Sequence, residues 1–211
     1  MSFKRFVALV VVALALPFSS LARAEPVQIV GFGDSLMAGY GLDAGQGFPE
    51  KLQAALLAKG HDVVIANAGV SGDTTSSGLA RLDWSIPDGT QIVILELGAN
   101  DMLRGTTPDI TRKNLTEMIQ RLQARKITVL LAGMRAAPNL GQSYQSAFDA
   151  IYPDLAKQFG VPLYAFFLDG VAADRQFLLA DGMHPNANGI DRMVERFVPE
   201  IEKVLAATSN S

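Results

Sequence analysis

The chain has 211 residues, with 18 Lys and Arg against 21 Asp and Glu, two His and no Cys. That length suits one domain with one sizeable core, and the acidic balance argues against a nucleic-acid-binding surface. Disulfides, thiolate metal sites and a lipidated N-terminal Cys are excluded, and the two histidines do not sit at ligand spacing, so no metal is expected.

Residues 1–24 read as an export signal. Lys4 and Arg5 give a basic start, Phe6 to Leu16 is uninterrupted apolar, and Ala22-Arg23-Ala24 fits a small-x-small cleavage site, so cleavage is expected before Glu25. The apolar run of 11 residues falls short of the roughly 20 that span a hydrocarbon core, and no membrane anchor is expected after cleavage. Residues 25–211 then keep 15 basic residues against 21 acidic, a net charge near −6, and belong in the periplasm or the medium.

The mature chain opens on Gln28–Phe32, a short apolar run that predicts a strand. It leads into Gly31-Phe32-Gly33-Asp34-Ser35-Leu36, where glycines permit a tight turn and Ser35 lands at the start of a helical turn. Phe48–Lys59 places Leu52, Ala55 and Leu56 on one stripe and predicts a helix. Val63–Ala66 predicts the second strand, followed by the glycine-rich Asn67-Ala68-Gly69-Val70-Ser71-Gly72-Asp73-Thr74. Ile92–Leu97 predicts the third, followed by Gly98-Ala99-Asn100-Asp101. Asn114–Arg125 carries Leu115, Met118, Ile119 and Leu122 at helical spacing, and Thr128–Ala132 predicts the fourth strand. Tyr144–Phe159 predicts a helix broken or kinked near Pro153, and Leu163–Phe167 the fifth strand. Ile190–Ala206 predicts a closing helix with another break at Pro199, before a loose tail from Thr208.

None of the five strand candidates alternates with polar residues, which predicts strands buried on both faces of a mainly parallel sheet covered by helices. The fold class is therefore α/β, one domain over residues 25–211, and with no obvious exposed apolar patch a monomer is expected. In such sheets ligands lie beyond the carboxyl ends of the strands, and the unusual residues follow the strands directly.

A serine at a strand-to-helix junction serves as an N-cap or as a nucleophile, and Asp34 beside it reads as a residue that shapes the turn. Asp181-Gly182-Met183-His184-Pro185-Asn186 puts an acid three residues ahead of a histidine within a loop. At that spacing Asp181 can hold one ring nitrogen of His184 while the other faces a nucleophile; a structural loop histidine fits the same segment. His61, after Gly60, reads as a solvated turn residue and offers no competing base. Gly72 and Asn100 offer a backbone N–H and a side-chain amide where an oxyanion would need donors, although each segment taken alone reads as a turn or a helix cap.

Taken in order, Gly33-Asp34-Ser35-Leu36, Gly72, Gly98-x-Asn100-Asp101 and Asp181-x-x-His184-Pro185 resemble the four blocks of the SGNH, or GDSL, hydrolases. Within that family the chain is similar to the bacterial periplasmic acyl-CoA thioesterase, lysophospholipase and arylesterase group. Ser71-Gly72-Asp73-Thr74, Leu79-Ala80-Arg81-Leu82 and Glu96-Leu97-Gly98 carry the resemblance over nearly the whole mature chain. It implies a flavodoxin-like three-layer α/β/α sandwich, with Ser35 as nucleophile, Asp181 and His184 completing a triad, and an oxyanion hole from the Ser35 and Gly72 N–H groups and the Asn100 amide. It also implies hydrolysis of a small acyl ester or thioester without a cofactor. Two residues depart from the group, Met102 where relatives commonly carry glycine and Leu140 where many carry an aromatic; each either shapes the acyl groove or is plain packing variation. Arg135 and Tyr144 bound the loop that lies along the acyl chain in related enzymes, and are expected to contact substrate.

Two rivals share the scaffold. A carbohydrate O-deacetylase would use the same triad. A nucleotide-binding module would use the same sheet, but Leu36 follows where the dinucleotide fingerprint needs a third glycine, and Ala66-Asn67 lacks the acidic residue that ends its second strand.

Overall fold

The computed structural model describes residues 25–208; the expected export signal and residues 209–211 of the tail lie outside the described residues. Five strands, β1 (Val27–Gly33), β2 (Val63–Gly69), β3 (Ile92–Glu96), β4 (Thr128–Ala132) and β5 (Leu163–Tyr164), form one parallel sheet in the order β2-β1-β3-β4-β5. Parallel neighbours need crossovers, which are supplied by α2 (Phe48–Ala58), α3 (Thr75–Ser85), α5 (Pro108–Ala124), and the pair α6 (Gln142–Asp149) and α7 (Ile151–Phe159). The chain closes with α8 (Ala187–Thr208), which packs on α2, while α3 packs on α5 and α5 on α7. Helices thus cover both faces, the three-layer α/β/α sandwich expected. The winding runs out from β1 to β2 and then returns to β3, so it reverses between β1 and β3 and opens a crevice at their carboxyl ends. Two short helices start there, α1 (Ser35–Ala38) and α4 (Ala99–Leu103).

Burial on both faces holds for β3 and for most of β1 and β4, but not for β2. As an edge strand β2 turns alternate residues outward, leaving Val64 42% exposed. Regular pairing of β5 stops at Tyr164, short of the predicted Phe167. There the Ala165 carbonyl lies where Gly133 would carry a Cβ, and the chain bends back so that Phe167 N–H donates to Gly133 O at 2.8 Å.

Proline acts differently in the two predicted breaks. Pro153 stands in the first turn of α7, where its missing N–H costs nothing, and its ring clashes with a helical carbonyl four residues earlier, at Asp149. The break therefore falls at Ala150, between α6 and α7. Pro199 breaks nothing, since α8 runs unbroken through it. A mid-helix proline costs about 3 kcal/mol, and each apolar side chain buried beside it returns about 1.5 to 3 kcal/mol; Phe197, Val198 and Ile201 are all buried.

One helix boundary escapes the apolar pattern. Residues Thr107-Pro108-Asp109 start α5 six residues before the predicted Asn114, with Pro at the first helical position and an acid in the first turn. The whole of α3 escapes it too, because its buried face is Thr75, Gly78, Arg81 and Leu82, in which only one residue is a large hydrophobe. Its signal is the Thr74 and Ser77 capping box, in which each side chain accepts the other's backbone N–H.

Candidate active site

The carboxyl end of β1 carries the serine. Gly33 lacks a Cβ where the side chain and carbonyl of Glu96 press against it from β3, so the turn sits low against the sheet. Asp34 caps α1 by accepting Leu36 N–H at 3.0 Å, the turn-shaping role expected of it. Ser35 is the first helical residue, and its N–H is among those a helix leaves without an internal partner. Gly39, at φ +77°, ends α1 after one turn.

The histidine arrives from the loop before α8. Asp181 Oδ1 accepts the N–H groups of Met183 at 2.9 Å and His184 at 3.0 Å, while Oδ2 lies 2.7 Å from His184 Nδ1. These bonds, the Met183 N–H first, then the His184 N–H and ring, hold the Asp181 carboxyl down at about 2. A carboxylate at Nδ1 requires the proton there, which leaves Nε2 as an acceptor. His184 Nε2 lies 2.9 Å from Ser35 Oγ, across 149 residues of sequence. Tyr40 covers the imidazole from one side, with ring centroids 4.5 Å apart. The other histidine, His61, is far from this geometry and bonds Glu202 of α8 at 2.8 Å.

Two further loops bring donors. Asp73 N–H closes a turn on Val70 O at 3.1 Å, with Gly72 third in the turn at φ +85° and Ser71 at negative φ, the type II arrangement. A type I turn would reverse the peptide between Ser71 and Gly72 and point the Gly72 N–H elsewhere, so the positive φ is what aims it. Arg104 donates to Gly72 O at 2.8 Å. Beneath, the buried Arg81 joins the two loops, donating to Asp73 Oδ2 at 2.5 Å and Gly33 O at 2.9 Å with its guanidinium 4.0 Å over the Phe32 ring. Ser35 and Gly72 N–H have no partner among the described residues.

Asn100 lies inside α4, whose N-cap is Gly98. Its amide nitrogen donates to Asp34 Oδ2 at 3.1 Å and to Asp73 O at 3.0 Å, so both hydrogens are engaged in the resting protein. Asp101 is wholly buried and does cap a helix, though one across the site: it accepts Thr75 N–H at 2.7 Å, at the start of α3, and Thr75 Oγ1 at 2.5 Å.

Ser35, Gly72, Asn100 and His184 face a cavity of about 520 Å³ whose remaining walls are mainly apolar, among them Leu36, Met102, Met134, Ala137, Leu168 and Leu178. Of the four residues expected to contact substrate, Met102 lines this cavity and the other three do not. Tyr144 stacks on Phe148 and donates to Thr106 O at 2.8 Å, Arg135 turns outward over the Phe166 ring, and Leu140 packs at the edge of the core. Met134 faces the cavity in place of the expected Arg135, which is exposed. The second wall, Leu168 with Ala172 and Ala173, follows β5 and carries no motif in the sequence; its position beyond a strand's carboxyl end is the available signal. Tyr40, Leu103 and Met183 gather at the mouth, all more than half exposed, an apolar patch that the sequence does not suggest.

Residues 32–192 match the GDSL-like Lipase/Acylhydrolase family. The chain is 38% identical over 185 residues to the esterase TesA of Pseudomonas aeruginosa, covering 87% of this chain and 91% of that relative. It is 41% identical over 166 residues to the thioesterase 1/protease 1/lysophospholipase L1 of Escherichia coli, covering 78% and 77%. Among solved structures, the SGNH-hydrolase family esterase AlinE4 superposes with a TM-score of 0.73 at 46% identity, covering 87% of this chain and 99% of that one. The crystal structure of TesA superposes with a TM-score of 0.79 at 38% identity, covering 83% and 98%.

Proposed function

The chain belongs to the GDSL-like lipase/acylhydrolase family, and from that membership we propose that it hydrolyses carboxylic esters and thioesters through an acyl-enzyme on Ser35. The observation that carries this reading is the unbroken relay from Asp181 through His184 to Ser35 Oγ, at 2.7 and 2.9 Å, on the wall of an apolar cavity. His184 Nε2 takes the hydroxyl proton as Oγ attacks the acyl carbonyl, and Asp181 stabilises the imidazolium that results. The alcohol or thiol leaves with that proton. Water, deprotonated by the same imidazole, then attacks the acyl-enzyme, releasing the acid and restoring Ser35. The N–H groups of Ser35 and Gly72 are the free donors for the oxyanion, with the Asn100 amide beside them.

The apolar lining favours an acyl chain over an acetyl group. Each methylene buried is worth about 0.8 kcal/mol, close to four-fold in kcat/KM. With p-nitrophenyl esters and acyl-CoAs of increasing length, kcat/KM is expected to climb at about that rate per carbon until the chain outgrows the cavity. A maximum at the acetyl ester would instead support the O-deacetylase.

We also propose that the protein works outside the cytoplasm, on the export pattern of residues 1–24. Intact mass measurement of the exported protein is expected to give a chain starting at Glu25; a chain retaining Met1 would remove the assignment.

A further inference from the structure

Glu96 is the one polar residue in β3, and it has no exposed surface. Its Oε2 accepts the Asp34 N–H at 3.2 Å, and its Oε1 has no hydrogen-bond partner among the described residues. It thus lies directly under the turn that carries Ser35, in the space left by the missing Cβ of Gly33. We propose that Glu96 is a positioning residue which works as a neutral carboxylic acid, holding the Asp34 backbone and so fixing the turn that presents Ser35. The inference rests on the hydrolase reading above.

The groups around Glu96 decide its charge. From the β1 to α1 turn comes the equally buried Asp34 carboxyl, itself facing Asp73 and His184; from α7 comes the buried Tyr152 hydroxyl, which donates to Leu97 O at 2.9 Å and itself faces Asp101 of α4. The buried Arg81 of α3 directs its donors to Asp73, Ser85 and Gly33 O. A carboxylate with one amide donor and no cation is costly to bury, and two adjacent carboxyls do not both ionise readily. The proton falls to Glu96. Burial first, then the neighbouring Asp34, push its carboxyl well above the ordinary 4.5, whereas Asp34, pushed by burial up to about 6, is held down by Leu36 N–H and the Asn100 amide and is ionised at neutral pH. A protonated Glu96 then accepts the Asp34 N–H without setting a second negative charge beside the Asp34 carboxylate, and so holds the backbone of the residue next to the nucleophile.

The test compares Glu96→Gln, which keeps a neutral donor and acceptor, with Glu96→Leu, which keeps neither. For kcat on one ester, Glu96→Leu is expected to lose about 10²-fold at nearly unchanged KM, and Glu96→Gln to recover most of it. Wild-type turnover in Glu96→Leu, or equal loss in both variants, overturns the positioning role. Thermal unfolding reads the charge independently of activity. Between 4.5 and its raised folded value, folded Glu96 keeps a proton that the unfolded chain has released, so wild-type stability falls as pH rises through that window while the glutamine variant is spared. The Tm advantage of Glu96→Gln over wild type is therefore expected to widen as pH rises above 4.5. A difference that stays flat or narrows shows an ionised Glu96 and overturns the proposal, and this result stands even if Glu96→Leu does not fold. Absence of ester turnover and of phosphonate labelling in the wild type would instead count against the hydrolase reading, leaving the unfolding result intact.

Discussion

Ser35→Ala will lower kcat by on the order of 10⁴- to 10⁶-fold, His184→Ala will do the same, and the double variant will be scarcely worse than either single one. The reason is geometric. Ser35 Oγ and His184 Nε2 are 2.9 Å apart, and neither works without the other: the hydroxyl attacks only as its proton leaves, and the water that the imidazole later deprotonates has no acyl-enzyme to attack unless Ser35 has formed one. What survives in each variant is binding and the oxyanion donors, common to all three. The fold will survive too, since the loss is one part-buried hydrogen bond worth about 1 kcal/mol, or at most about 4 °C in Tm for a domain of this size. Initial rates on a medium-chain p-nitrophenyl ester, with fluorophosphonate labelling followed by mass spectrometry, measure both sides. Turnover above a tenth of wild type in Ser35→Ala, or losses that multiply in the double variant, would remove the triad.

The proposed triad is legible in the sequence through the order of the four blocks that resemble the SGNH hydrolases, since Ser35 alone also reads as an N-cap and His184 alone also reads as a structural loop histidine. A histidine three residues after an aspartate in a loop, in a chain with only one other histidine, leaves few candidates for a base. The sheet is legible for a similar reason: Ile92–Leu97 is apolar but for one residue, and a strand buried on both faces has nothing else to be. That one residue, Glu96, is the easily overlooked sign that polar chemistry lies under the site. Helix α3 is illegible for the complementary reason. It packs its polar face, with Thr75 and Arg81, onto Asp101 and Asp73, so the period that reveals an amphipathic helix is absent from it. The missed helix and the polar floor of the site are one feature. The acyl wall is unreadable because Met134, Leu168 and Leu178 are residues any core uses, and only the three-dimensional path of the loops after β4 and β5 turns them toward Ser35.

Asn100→Ala will lower kcat by about 10²- to 10³-fold at nearly constant KM, and most of that loss will persist in an Asp34→Asn background. In the resting protein Asp34 Oδ2 and Asp73 O both accept from the amide, and since neither can donate, the nitrogen must face them. To reach an oxyanion on the carbon attacked by Ser35, Asn100 must share or release one of those hydrogens. Charge-assisted hydrogen bonds are roughly twice as strong as neutral ones, so a fully charged oxyanion competes well against the neutral Asp73 carbonyl and poorly against the Asp34 carboxylate. The bond to Asp73 is the one expected to yield. A brace and a donor then differ in a double-mutant cycle. If Asn100 only steadies Asp34, then Asn100→Ala and Asp34→Asn break the same contact and the second adds nothing to the first. If Asn100 also binds the oxyanion, its removal costs turnover whichever residue stands at position 34, and an unchanged KM marks a contact made only in the transition state. Rates for the four proteins on one ester decide it: a coupling as large as the whole Asn100 loss would sink the donor role and leave the amide as a strut.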